Sequence, residues 1–325
     1  LDGCDLGRLS AACDLVTRKI TRTMKLLRFV GQRAGAVLLC GMVVVAFLPG
    51  LSAILRPFLP LLVSLVLGLA IARLDVGQLL REFVRPQRLR LMIFCLVLFV
   101  PVTSLALVGV GSLLGADKDT KLALAVFGAS PPLSSAASIA LFLGYDARIT
   151  LQFGVFATLL LPILGPLTFA LVGIDVDIAA LQMASRIALM IAGGFLLGLS
   201  LQAVLGRSRI AANSDVFDGV AALALLLFLF PLFDGVIGFV LAEPTQAAGL
   251  LALAIALNFG GHVALASACR KVTEPETANA AGLMFGNRNV SFYLAVLPMN
   301  PALGLFVAAA QIPIYATPAV FGKRR

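Results

Sequence analysis

The chain has 325 residues, 60% of them hydrophobic and 13% charged, with a net charge of +9 and a mean hydropathy of +1.04. Globular domains carry about 25% charged residues, so the composition excludes a soluble enzyme or a soluble binding module. The basic residues sit at the ends and in short loops, where they set membrane topology, and this removes nucleic acid as the reason for the charge. Several apolar runs approach the roughly 20 residues that a spanning helix needs. They are apolar all round instead of alternating, so helices are expected and a β-barrel is not.

Residues 1–33 carry Arg18, Lys19, Arg22, Lys25, Arg28 and Arg33 on a weakly amphipathic run without the cleavage signature of a signal peptide. Met24-Lys-Leu-Leu reads as a natural start, which makes residues 1–23 an upstream extension or an interfacial arm. Ten spans follow, at about 35–48, 58–72, 91–114, 122–143, 151–172, 187–205, 220–239, 247–268, 280–298 and 302–321. Pro49-Gly50 ends span 1, and a basic connector at 73–90 with Arg81, Arg85, Arg88 and Arg90 follows span 2. Span 3 contains Pro101, span 5 contains Pro162 and Pro166, and span 7 contains Pro231 and Asp234. Span 8 holds Asn258, Gly260, Gly261 and His262. Cys4, Cys13, Cys40, Cys95 and Cys269 form neither a disulfide framework nor a metal pattern and read as small core-filling residues. His262 and Cys269 are too few for a metal site, so none is expected.

Spans 4 and 9 depart from ordinary membrane helices. Span 4 contains Ser130-Pro-Pro-Leu-Ser-Ser-Ala-Ala-Ser138. Two adjacent prolines remove two backbone donors, so a broken helix is expected, its second half starting near Ser134. Span 9 contains Gly286-Asn-Arg-Asn-Val-Ser291 between apolar flanks. A charge at membrane depth is costly unless it faces protein or a water-filled cavity. Arg288 is then either a structural arginine capping exposed carbonyls or a solute ligand at a helix break.

With both termini cytoplasmic, twenty of the 25 Lys and Arg fall inside and four outside (Arg56, Lys118, Lys121 and Arg186), which supports ten spans. The polar spans are each fourth of five. The pattern is two inverted five-helix repeats, 34–178 and 179–325, behind an arm at 1–33, with broken helices meeting near the midplane. Half-helix ends there can hold an anion or a cation.

These motifs, with Phe47-Leu-Pro-Gly50, Arg85-Pro-Gln87 and Tyr145-Asp-Ala147, make residues 34–322 similar to the bile acid:sodium symporter superfamily, as a divergent bacterial-type member. The resemblance implies a panel of spans 1, 2, 6 and 7, a core of spans 3–5 and 8–10 in which spans 4 and 9 cross, and a place in the bacterial inner membrane. Its glycine, any residue, glutamine, asparagine, serine motif falls on Gly286 to Val290, so Arg288 stands for glutamine and Val290 for serine. Met284 stands where sodium-coupled members carry glutamate, Ala137 where they carry asparagine, and Leu98 near a glutamine. Of two span-5 hydroxyls, Thr158 is kept and the other falls near Gly154.

Sodium needs hard oxygen ligands, which methionine and alanine lack, and Arg288 would repel a second cation. The chain therefore reads as a secondary carrier of a small organic anion, a carboxylate or sulfonate clamped by Arg288, with no cofactor and no protein partner. Ser130, Ser134, Ser135, Ser138, Thr158, Asn287 and Asn289 are the other candidate solute or ion ligands, and His262 and Asp234 are candidate coupling residues. A sodium-coupled symporter remains the alternative, as does a channel or non-transporting receptor on the same scaffold. No HExxH, serine–histidine triad or intramembrane carboxylate cluster points to an enzyme.

Overall fold

The computed structural model of the chain describes residues 19, 21–75 and 86–322. Residues 1–18 and 20, Cys4 and Cys13 among them, lie outside the described residues, as do Arg81, Arg85, Lys323-Arg-Arg325 and the side chains of Arg88 and Leu98. The described residues are helical, with Pro132 and Arg288 as an isolated antiparallel bridge. Among the described residues, seven helices are long and apolar enough to cross a membrane, and a pair bent by 86° makes up to eight.

That bent pair is α1 (Thr21–Gln32) and α2 (Ala34–Ala46). At 1.5 Å per residue, the 13 residues of α2 reach only about 20 Å of the roughly 30 Å hydrocarbon core. Short turns at 49–58 lead into α3 (Leu59–Ile71). Next, α4 (Pro86–Val97) passes through a π-helical turn, Leu98–Val102, into α5 (Thr103–Leu113). The wider turn takes up Pro101, whose missing N–H would otherwise break the ladder. Span 4 is α6 (Lys118–Ala129) and α7 (Ala136–Leu143), so its second half starts two residues later than expected. The long helices α8 (Ala147–Val172) and α9 (Ala180–Leu205) follow.

After a short α10 (Arg207–Ala212), α11 (Ser214–Leu232) ends earlier than the expected span 7. Gly235 adopts a left-handed φ of 72° there, open to glycine at little cost, and starts a separate α12 (Val236–Ala242). Span 8 is α13 (Pro244–Ile255), a second π-helical turn (Ala256–Gly260) and α14 (Gly261–Cys269). Span 9 is α15 (Pro275–Gly286) and the single turn α16 (Ser291–Leu294), and α17 (Pro301–Phe321) closes the fold. Spans 4 and 9 are absent from the seven because their longest halves have 12 residues each, about 18 Å.

Two helix groups pack through small residues, as membrane helices do when close van der Waals approach supplies the attraction. In one, α9 lies along α3 and α11 lies on α2 and α3. Gly194 and Gly198, four apart, let α9 approach so closely that a Cβ at Gly198 would stand 2.8 Å from the Gly68 carbonyl. In the other, α5 packs on α6 at Ser104 and Gly128, and α14 packs on α15 at Gly282 and Gly286. Leu141, Ile163, Leu189 and Leu196 stay exposed, which suits lipid and would be a liability in water. Cys40 and Cys95 are exposed instead of core-filling. The described part of the arm is docked: Gly31 and Gly219 bring α1 and α11 into backbone contact, and Arg28 and Gln32 bond Asn213 and Asp215 at 3.0 and 2.9 Å.

Candidate functional site

The two breaks meet. Leu133 N–H donates to the Asn287 carbonyl at 2.8 Å, and Asn289 N–H donates to the Pro131 carbonyl at 2.8 Å. Each non-helical stretch thereby satisfies backbone groups that the other would leave orphaned in a dry interior. The crossing is antiparallel at its outer ends too. Asp146, just after α7, takes the Glu276 carbonyl on its N–H and the Thr277 hydroxyl on its carboxylate, at the start of α15. At the opposite end Asn300 donates to Asp119 at 2.8 Å.

Arg288 is the largest fully buried side chain, 2% exposed. Its Nε donates to the Phe285 carbonyl at 3.0 Å and its Nη1 to the Ser130 carbonyl at 2.8 Å. These carbonyls lie in the last turn of α15 and just past the end of α6, so two helix C-termini direct partial negative charge at the guanidinium. The cation also lies 4.2 Å from the centroid of Phe99, 5.3 Å from Phe285 and 5.7 Å from Phe127. Phe99 comes from the π turn of span 3. Of the two readings of Arg288, this geometry matches the capping arginine. Nη2 is buried without a partner, as are Asn287 Nδ2 and Asn258 Oδ1. Asn258 comes from the second π turn, and its carbonyl is what a Cβ on Gly286 would strike.

The other predicted residues divide by location. Ser130, fully buried, returns its hydroxyl to Val126. Asn287 is buried and accepts from Thr317 at 3.4 Å. Asn289 donates to Ser134 Oγ at 3.4 Å and accepts a short bond of 2.5 Å from Ser291. Ser135 and Ser138 are exposed on the start of α7 and join neither the crossing bonds nor the cavities described next. His262 is buried, stacked on Phe321 at 4.2 Å with Tyr145 edge-on at 6.0 Å. It takes no bond from Asn258, whose amide nitrogen donates to Ala254 and whose oxygen has no partner. Asp234 sits half-buried in the turn before Gly235, away from the crossing bonds. Met284 packs in an apolar cluster with Leu96, Val100, Phe153 and Leu164, so no oxygen stands at that position.

Two cavities lie at opposite ends of α3. The first is a narrow cleft with about 30 Å³ of water-accessible volume inside ≈ 410 Å³ of empty space. Ser134, Ala137 and Thr158 line it from the broken-helix side, and Leu67, Ile71 and Phe195 from α3 and α9. Thr158 spends its hydroxyl proton on the Gly154 carbonyl at 2.8 Å and so presents only an acceptor to the cleft. The second cavity is wider, with 380 Å³ of water-accessible volume, lined by Arg56, Leu59 and Pro60, by Asp177 and Arg186, and by 294–298 beyond the second break. Leu62 and Val63 are buried on α3 between the two.

The sequence reading did not place Arg56 and Arg186 on one cavity, Asn258 against Gly286 or Tyr293 at the end of α6. Tyr293 donates to the Ala129 carbonyl at 3.1 Å. Only Asn258, polar within a span, carried a usable sequence signal. No family model matches the chain, and no curated protein does.

Proposed function

We propose that the chain is a secondary carrier that moves a small organic anion across the plasma membrane by alternating access. The observation that carries this reading is the bonded crossing of two helix breaks with a cavity at either end of α3. Rocking of the α2, α3, α9 and α11 group against the broken-helix group would open one cavity as it closes the other. In this reading the fold has ten spans in two inverted repeats, with both ends cytoplasmic. Its support is the charge bias of the loops and a second correspondence: π turns fall in spans 3 and 8, third of five in each half, just before each broken span. The likeness of the motifs to the bile acid:sodium symporter superfamily points the same way.

Arg288 acts here as a resident cation. Its guanidinium takes the carbonyls at two helix ends that a free cation would otherwise hold, and Met284 and Ala137 supply no replacement ligands. Transport therefore does not depend on sodium. Solute binds in the cavities beside the crossing, where Ser134, whose oxygen accepts from Asn289, keeps its O–H for an anion, instead of on Arg288. Purified protein in liposomes tests this: saturable flux of a labelled carboxylate that persists when choline replaces sodium is expected, and absence of any protein-dependent flux across organic anions removes the reading.

A further inference from the structure

The wider cavity carries two guanidinium groups, Arg56 and Arg186, against one carboxylate, Asp177. All three side chains are exposed at its mouth. Arg186 also reaches across the interface, with Nη1 3.5 Å from the Val296 carbonyl, so it stands where the two helix groups face each other. The rest of the lining mixes Gln182 with aliphatic side chains, among them Leu59, Ile178, Leu294 and Leu297. At 380 Å³ the cavity is within the range of small-ligand pockets, about 300–1,000 Å³. Two guanidinium groups beside aliphatic side chains fit an anion with a short apolar body, its head held by a forked cation. Arg288 lines neither cavity, so it is not the group that selects charge.

We propose that Arg56 and Arg186 form an anion-capture site in this vestibule, taking small monoanions with a carboxylate or sulfonate head and a short aliphatic body. It rests on the carrier reading for its purpose, though not for its binding chemistry. Asp177 opposes it and sets an upper limit on the net positive field. The vestibule is then the first stop for solute, and the hydroxyl-lined cleft at Ser134 and Thr158 is the second.

The test uses the full-length protein in a neutral detergent, titrated with hexanoate and hexanesulfonate, with hexanamide as the uncharged control. The midpoint of thermal unfolding is followed at fixed ionic strength. Both anions are expected to raise it saturably and hexanamide is not. The double variant Arg56→Gln, Arg186→Gln should raise the half-saturating concentration about tenfold or more, the loss of one charge-assisted hydrogen bond. Asp177→Asn should lower it. Exposed sites such as these leave the unliganded midpoint nearly unchanged, and Arg→Lys at both positions, which keeps the charge, separates any folding defect from lost binding. Equal stabilisation by hexanamide, or an unshifted half-saturating concentration in the double variant, overturns the site. Flux measured alongside distinguishes the two levels. Anion binding without protein-dependent flux of any organic anion tested overturns the carrier and leaves the vestibule standing. Hexanoate flux whose KM ignores the double variant overturns the vestibule and leaves the carrier standing.

Discussion

Replacing Arg288 separates a guanidinium that holds the crossing from one that holds solute. Arg288→Met keeps much of the hydrocarbon volume against Phe99 and Phe127 but removes the donors to Phe285 and Ser130. Each buried carbonyl left without a donor costs about 1–3 kcal/mol, and the lost ring contacts add about 0.5–2 kcal/mol. Against this stands the relief of a desolvated charge, several kcal/mol for a buried ion, which two helix C-termini already offset in part. The expected net loss is about 2–4 kcal/mol, read as a fall of several degrees in the unfolding midpoint in detergent. Arg288→Ala should go further and open space between the two carbonyls. Sodium or potassium chloride should then stabilise that variant more than choline chloride does, while the wild type responds equally to all three. A midpoint unchanged in Arg288→Met would refute the role in holding the crossing. An Arg288→Ala variant indifferent to the cation would refute the idea that the guanidinium stands in for one.

Two further predictions concern the scaffold. A Cβ at Gly286 would lie 2.3 Å from the Asn258 carbonyl, so Gly286→Ala should force α14 and α15 apart and cost about 1–3 kcal/mol, whereas Gly109→Ala, with nothing within 4 Å, should leave the unfolding midpoint where it is. Asp117 caps α6 through Thr120 N–H at 2.8 Å and Thr120 Oγ1 at 3.0 Å. Partial burial pushes its carboxyl up, but those bonds and one from Gln246 outweigh it and hold it below the ordinary 3.8. A depressed folded value gives stability that is present above the unfolded value and lost as pH falls through the folded one. Asp117→Ala should therefore cost about 1 kcal/mol at neutral pH, and its difference from wild type should shrink as pH drops below 3.8.

The breaks were legible because their causes are local. Pro131 and Pro132 remove donors wherever they sit, and Asn287 to Asn289 are polar against any apolar background. The bonds that join the breaks were not legible, since Leu133 and Asn287 are 154 positions apart and pair only once the helices cross. Arg288 kept two readings for the same reason: its partners Ser130 and Phe99 come from other spans. The end of α11 was missed because hydrophobicity continues through Val236 to Leu241, while the turn depends on one left-handed glycine, Gly235. Arg56 and Arg186 counted only as loop charges in the sequence; the fold puts them on one cavity.

The carrier proposed here works without sodium, at a crossing flanked by two cavities. Hexanoate uptake into proteoliposomes, with and without hexanoate preloaded inside and with sodium or choline outside, tests it most directly. Saturable uptake, accelerated by internal hexanoate and equal in the two cations, is expected. Flux linear in concentration without trans-acceleration, or uptake found only in sodium, would contradict it.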